Sequence, residues 1–452
     1  MVRRLAVVLI VAGAVLLALA PGVARANGRF PRAVKLLVRP GHPEEMALAV
    51  TFGLLVTRDD GAHWHWTCES AVGFMGTFDP DYAITASGTI YATTFGGVTM
   101  TRDGCHWSHL PRPLDEAYVP VITVGPDDIV YAAASAPDDN RVYRSTDDGV
   151  SFVPLGAVGQ PADFWTSIEV APSDPRRIYL TGFRSMGAAT RQRVMFRSQD
   201  GGQTWAELPT TALIGTDISD LQIAAISPTD PELVLVRVTL TGPGLQETIY
   251  LTENAGTTAA AGPTWAKVYE VTDNIPGVVI RADGTALLAT PFHGLQRSSD
   301  GGRTFAAVPD VMFEGRCLVE RSDRVLFLCA NDLPPDSRAL TSSTTAAAGS
   351  WTPRLRFADL TAPIDCPVGT VQKDDCEAVV WCGLVPQLGV TSQAIDCPAD
   401  IDAGIDAAGA LAPKETCCDA GGGPPAAAAS LALLGLMVPA WRRRRRARCI
   451  LR

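Results

Sequence analysis

Four histidines stand where metal chemistry is conceivable. His63 and His65 alternate in "HWHW", so on a strand they share a face, and His106 and His109 follow in "HWSH". Imidazoles from neighbouring strands can build a tetrahedral zinc site. No carboxylate or cysteine spacing completes one here, and the alternative is solvated histidines beside buried Trp64 and Trp107. No metal or other cofactor is therefore expected. The 11 cysteines offer different chemistry. Cys317 and Cys329 flank "LVERSDRVLFL", and a hairpin centred on Asp323 sets them opposite each other as a disulfide. Cys68 and Cys105 are further disulfide candidates on outer strands. Cys366, Cys376, Cys382 and Cys397 form a later group of four, which allows three pairings, with a metal knuckle as the alternative. Phosphate-loop, GxSxG and HExxH patterns are absent, and no nucleophile–base pair stands out.

The elements that position these residues come from a repeat. "SQDGGQTW" (Ser198 to Trp205) has near-copies starting at Thr57, Thr101, Ser145 and Ser298, and two degraded ones starting at Thr252 and Ser343. The seven starts lie 44 to 54 residues apart, the length of a four-stranded propeller blade. Short β-rich runs such as "TSIEVAPSDP", "RIYLTGF" and "RVMFRS" precede the motif, and "TWAELP" follows it. The fold class is thus all-β: seven four-stranded antiparallel blades in the order a-b-c-d, spanning about residues 30–356. The motif occupies the turn between strands c and d. Asp59, Asp103, Asp147, Asp200 and Asp300 accept turn N–H groups, while glycine supplies a positive φ. Trp64, Trp107, Phe152, Trp205 and Phe305, with Trp265 and Trp351 in the degraded copies, start strand d. Each is expected to bury its ring within its own blade. The longest d–a connection is expected around "AVGQPADFW".

This motif is the Asp-box, or BNR repeat, and residues 30–356 resemble Asp-box propellers: sialidases, sortilin ectodomains, xyloglucanase-type glycosidases and photosystem II assembly-factor propellers. The resemblance implies the fold and leaves activity open, because the box recurs in enzymes and non-enzymes. A sialidase needs an arginine cluster, a tyrosine nucleophile with a carboxylate partner and an acid/base aspartate. Arg29 or Arg32 of "GRFPRA" could be read as one such arginine, although Pro31 interrupts the pattern, and Tyr250 is an available tyrosine. Xyloglucanases place their cleft between two propellers, and this chain has length for one.

The termini give an address. Residues 1–26 read as a signal peptide: "MVRR", an apolar run, then Ala24-Arg25-Ala26. Residues 357–418 read as an irregular cysteine-containing segment and flexible spacer. Residues 419–452 read as an apolar helix followed by an arginine cluster. Preceded by Cys417 and Cys418, this tail resembles the C-terminal sorting signals of exported myxobacterial proteins, with a transmembrane anchor as the alternative. The net charge is −10; three arginines precede residue 27 and seven follow residue 441, so the body between carries −20. Such a body repels phosphate backbones, so nucleic acid is not an expected partner. The expected protein is a non-catalytic binding or scaffold propeller at the cell surface, its partner a glycan or protein, with a sialidase-like glycoside hydrolase as the alternative.

Overall fold

The computed structural model describes residues 30–397, apart from 75–78, 116, 136–139, 162, 187–190, 214–217, 241–244, 260, 310, 312–313, 334–336, 348, 392–394 and 396. The proposed signal peptide, Arg29, Cys417, Cys418 and the arginine-rich tail lie outside these residues. No helix among the described residues is long and apolar enough to cross a membrane.

Seven antiparallel sheets form a β-propeller, with blades at 33–67, 82–109, 121–154, 163–208, 218–271, 277–307 and 317–355. Every blade is built from four consecutive strands, a to d. Strand a is hydrogen-bonded on one side only, and its other edge faces the central channel. Closing the ring encloses these edges, which would otherwise template aggregation.

The core is divided among the blade interfaces. Seven hydrophobic clusters each join one blade to its neighbour. In strand b of blade 3 (Val130–Ala133), Val130 and Ala132 pack toward blade 2, while Tyr131 and Ala133 pack toward blade 4. Strand alternation therefore serves two interfaces, and the b strands read as continuous apolar runs.

Among the described residues, no strand is exchanged between blades 7 and 1. Their seam is held by apolar packing, including Met46, Leu48 and Trp64 against Phe327 and Leu340. Arg321 adds polar bonds, to Pro43 O at 2.9 Å and to Asp60. The segment after blade 7 then folds back over blades 1 and 2. Ala362–Pro363 pairs in parallel with strand d of blade 1 (His65–Thr67) as a fifth strand. A π-helical run, Gln372–Val380, continues as the α-helix Trp381–Leu388. The Gln372 amide donates to Trp66 O at 2.8 Å and accepts Cys68 N–H at 3.1 Å, and Trp381 packs on Trp66 with ring centroids 5.5 Å apart.

Disulfides hold this segment in place: Cys68–Cys376, Cys105–Cys366, Cys317–Cys329 and Cys382–Cys397. This corrects the reading of Cys366, Cys376, Cys382 and Cys397 as a self-contained set. Two of the four reach the propeller and take Cys68 and Cys105 as partners. Part of a segment expected to be irregular is thereby a clasp. The longest d–a connection also differs from expectation. It runs between Thr67 and Tyr82, carries the short helix Glu69–Val72, and supplies Cys68.

Candidate functional site

The repeated turns form from their own residues. Ser198 Oγ donates to Asp200 Oδ1 at 2.8 Å and accepts Gly202 N–H at 2.8 Å. Asp200 Oδ1 also takes Thr204 N–H at 2.9 Å, and its Oδ2 takes the Thr204 hydroxyl at 2.6 Å. Asp147 and Asp300 repeat this pattern. Gly202 has φ of 87°, and a Cβ there would run into Leu155 of the preceding blade. In the degraded fifth copy Asn254 stands for the aspartate and accepts Thr264 N–H at 2.9 Å across the insertion.

Two histidines raised for metal binding belong to these turns. His63 Nδ1 lies 2.6 Å from Asp59 Oδ2, and His106 Nδ1 lies 2.7 Å from Asp103 Oδ2, where Thr204 and Thr304 place hydroxyls elsewhere. His65 and His109 are exposed on outer strands.

These carboxylates titrate low. The backbone N–H and ring of His63 hold Asp59 down to about 2, and the hydroxyls of Ser298 and Thr304 hold Asp300 below the usual range. Ser151 does the same for Asp147 through its hydroxyl and N–H. A carboxylate whose folded pKa is depressed stabilises the fold above its unfolded pKa, near 3.9, and loses that contribution as pH falls through the folded value. The melting midpoint should therefore drop between about pH 4 and pH 2. Thermal scans of the Asp147→Asn, Asp300→Asn double variant should show a flatter drop; an unchanged slope would remove these turns as its cause.

The seven motif aromatics each stand immediately before strand d. Their rings do not lie within their own blade, as the sequence suggested. Each sits in the cluster shared with the preceding blade: Trp205 between blades 3 and 4, Trp265 between 4 and 5, Phe305 between 5 and 6. Trp64, Phe152 and Trp351 are buried, whereas Trp107, Trp205, Trp265 and Phe305 are half-buried. The indole N–H groups of Trp64, Trp107, Trp205 and Trp265 meet no described acceptor, so packing alone holds them.

The channel holds a cavity of about 820 Å³ whose lining includes the residues that lead into the a strands. Arg32 lines it; Tyr250 does not, and packs instead against the cluster between blades 4 and 5. Lys35, Asp81, Glu169, Gln222, Arg237, Glu247 and Arg316 line it too. Sequence reasoning missed these residues, although charged residues inside the apolar a-strand runs "AVKLLVR" and "TSIEVA" were a signal. Lys35 Nζ bonds Asp81 at 2.6 Å, and Arg237 bonds Ile275 O at 2.6 Å. Enclosure by the channel wall pushes the Glu169 carboxyl up to about 7, Asp81 adding to the rise and Lys35 opposing it.

The face on which the a strands begin carries exposed apolar side chains, of which Tyr118 lines the channel cavity. Five b–c connections raise an exposed large side chain there: Phe95, Met186, Leu245, Phe292 and Leu333. Phe30 and Tyr118 add two more where the chain enters strand a of blades 1 and 3. Val150 is the one such side chain in a described c–d turn, while Val153 on strand d of blade 3 and Val368, Val371 and Val379 on the segment after blade 7 are also exposed.

No protein-family model matches the chain, and a search of curated proteins finds no relative. Solved structures give likenesses. YCF48 from Cyanidioschyzon merolae is 15% identical with a TM-score of 0.48, covering 67% of this chain and 93% of that one. A GH74 xyloglucanase from Xanthomonas campestris is 16% identical with a TM-score of 0.40, covering 73% of this chain and 58% of that one. Hydrazine synthase from Kuenenia stuttgartiensis is 11% identical with a TM-score of 0.48, covering 73% and 99%. No activity carries over at such distances.

Proposed function

We propose that this protein is an exported, surface-retained, non-catalytic propeller that binds a glycan or a protein through the rim of its channel. The exposed apolar side chains on the face where the a strands begin support this reading. Seven of them share that face, and each costs solvation free energy that a bound partner recovers. The blades beneath provide a rigid base, so little ordering entropy is lost on binding. Export and retention rest on the two terminal segments.

The test is a glycan and peptide array probed with the purified, disulfide-bonded protein. Phe292→Ser with Met186→Ser should weaken each hit about tenfold or more without moving the melting midpoint. Hits indifferent to both substitutions would refute the rim. Turnover of a sialoside or β-glucan, lost on Glu169→Gln, would instead establish the hydrolase.

A further inference from the structure

Five charged groups of the lumen are bonded to protein partners. Lys35 bonds Asp81 and also Tyr82 O at 2.9 Å; Arg237 bonds Ile275 O and Gln222; Arg316 bonds Glu314 at 2.9 Å. Asp81 accepts Tyr82 N–H at 3.0 Å and Ile122 N–H at 3.2 Å, and Glu247 accepts Ile275 N–H and the Thr239 hydroxyl. Glu169 lines the same lumen, is open to it, and hydrogen-bonds no described residue through its side chain. Its carboxyl is thus an acceptor in the channel that no described protein donor meets.

Position narrows what can reach it. Glu169 stands two residues before the end of strand a of blade 4 (Asp163–Ala171) and lines the cavity. Thr166 lines the same wall three residues nearer the mouth, about 10 Å at roughly 3.3 Å per residue. From the mouth, a group reaches Glu169 at the tip of a slender chain, and the cavity has volume for one.

We propose that the channel binds an ammonium or guanidinium group at the end of a linear chain, with Glu169 as its counter-ion. A basic side chain of a bound polypeptide and a free linear amine share this chemistry. The proposal rests on the reading of the mouth as a binding surface.

The charged groups facing the lumen from the other blades set the pH dependence. Lys35 disfavours a second cation, while Asp81 favours one. Arg237 and Glu247 from blade 5 oppose each other, Arg316 is paired with Glu314, and Arg32 and Asp79 lie on the same wall. A cation binds the ionised carboxylate, so affinity should rise with pH through about 7, where Glu169 titrates, and then level off. Near neutrality, binding should release protons.

Isothermal titration of the intact protein with agmatine, 1-butanol and butyrate from about pH 6 to about pH 8 tests this. Agmatine should bind, the neutral and anionic counterparts should not, and agmatine affinity should follow the stated pH course. Glu169→Gln should weaken agmatine about tenfold or more and remove both pH dependence and proton release, with the melting midpoint unchanged. Agmatine binding no tighter than butanol, or binding indifferent to Glu169→Gln, would overturn the proposal. A pentapeptide with a central arginine separates the sources. Binding tighter than agmatine and weakened by Phe292→Ser assigns the site to a polypeptide; equal binding assigns it to a free amine, and either result upholds a cation site. Array hits that persist while agmatine fails would sink this inference and leave the rim reading intact.

Discussion

Serine at Cys68 and Cys376 together should lower the melting midpoint by on the order of 10 °C, the largest effect expected of any surface-proximal change in this protein. The reason is loop length. Cys68–Cys376 spans 308 residues and Cys105–Cys366 spans 261. In the chain-entropy account, a closed loop of that size removes about 6 kcal/mol of freedom from the unfolded chain. With one bridge in place the other closes only a short remaining loop and adds about 4 kcal/mol. The folded state loses as well. Gln372 satisfies Trp66 O and Cys68 N–H, and Trp381 covers Trp66, which is 1% exposed. A seam without strand exchange depends on this cover more than a ring closed by a shared sheet. Calorimetry with and without reductant, and of the double variant, gives the measurement. A midpoint unmoved by either would mean that the clasp contributes nothing to ring closure. A chain ending at residue 356 should fail to give a cooperative transition, because it exposes the seam and leaves buried backbone groups unpaired.

Replacing the motif aromatics by alanine should produce a graded series. Trp64→Ala removes a ring that is 5% exposed, packed at the seam between blades 7 and 1, and should cost about 3–5 kcal/mol. Phe152→Ala and Trp351→Ala belong to the same class. Trp107, Trp205, Trp265 and Phe305 are half-buried and should cost about half as much, near 2 kcal/mol. The effect comes through an inter-blade cavity, so each loss weakens two blades. Guanidinium unfolding of the seven single variants reads the order directly. Equal costs across the series would show that burial does not set the contribution of these rings.

Local chemistry was legible because it is carried by residues within about eight positions of one another. Ser198, Asp200, Gly202 and Thr204 specify their turn through bonds among themselves. The copies of that turn, with β-rich runs between them, determine four-stranded blades, their number and hence a seven-bladed all-β ring. The facing positions of Cys317 and Cys329, which pair across strands a and b of blade 7, are local in the same sense. Even the fifth copy, interrupted by an insertion, keeps its bond from Thr264 to Asn254.

Only the tertiary structure decided what happens between blades. A strand's alternation shows two faces, but not which neighbour covers each, so the sequence reading placed the rings of Trp205 and its counterparts within their own blade rather than against the preceding one. Cys68 and Cys105 take partners 308 and 261 residues away because the closed ring returns the chain to blade 1, and no local pattern encodes that return. The channel residues Lys35, Asp81 and Glu169 come from three different blades, each unremarkable in its own run. They meet because seven inner strands converge on one axis, and convergence is a property of ring closure that no single segment carries.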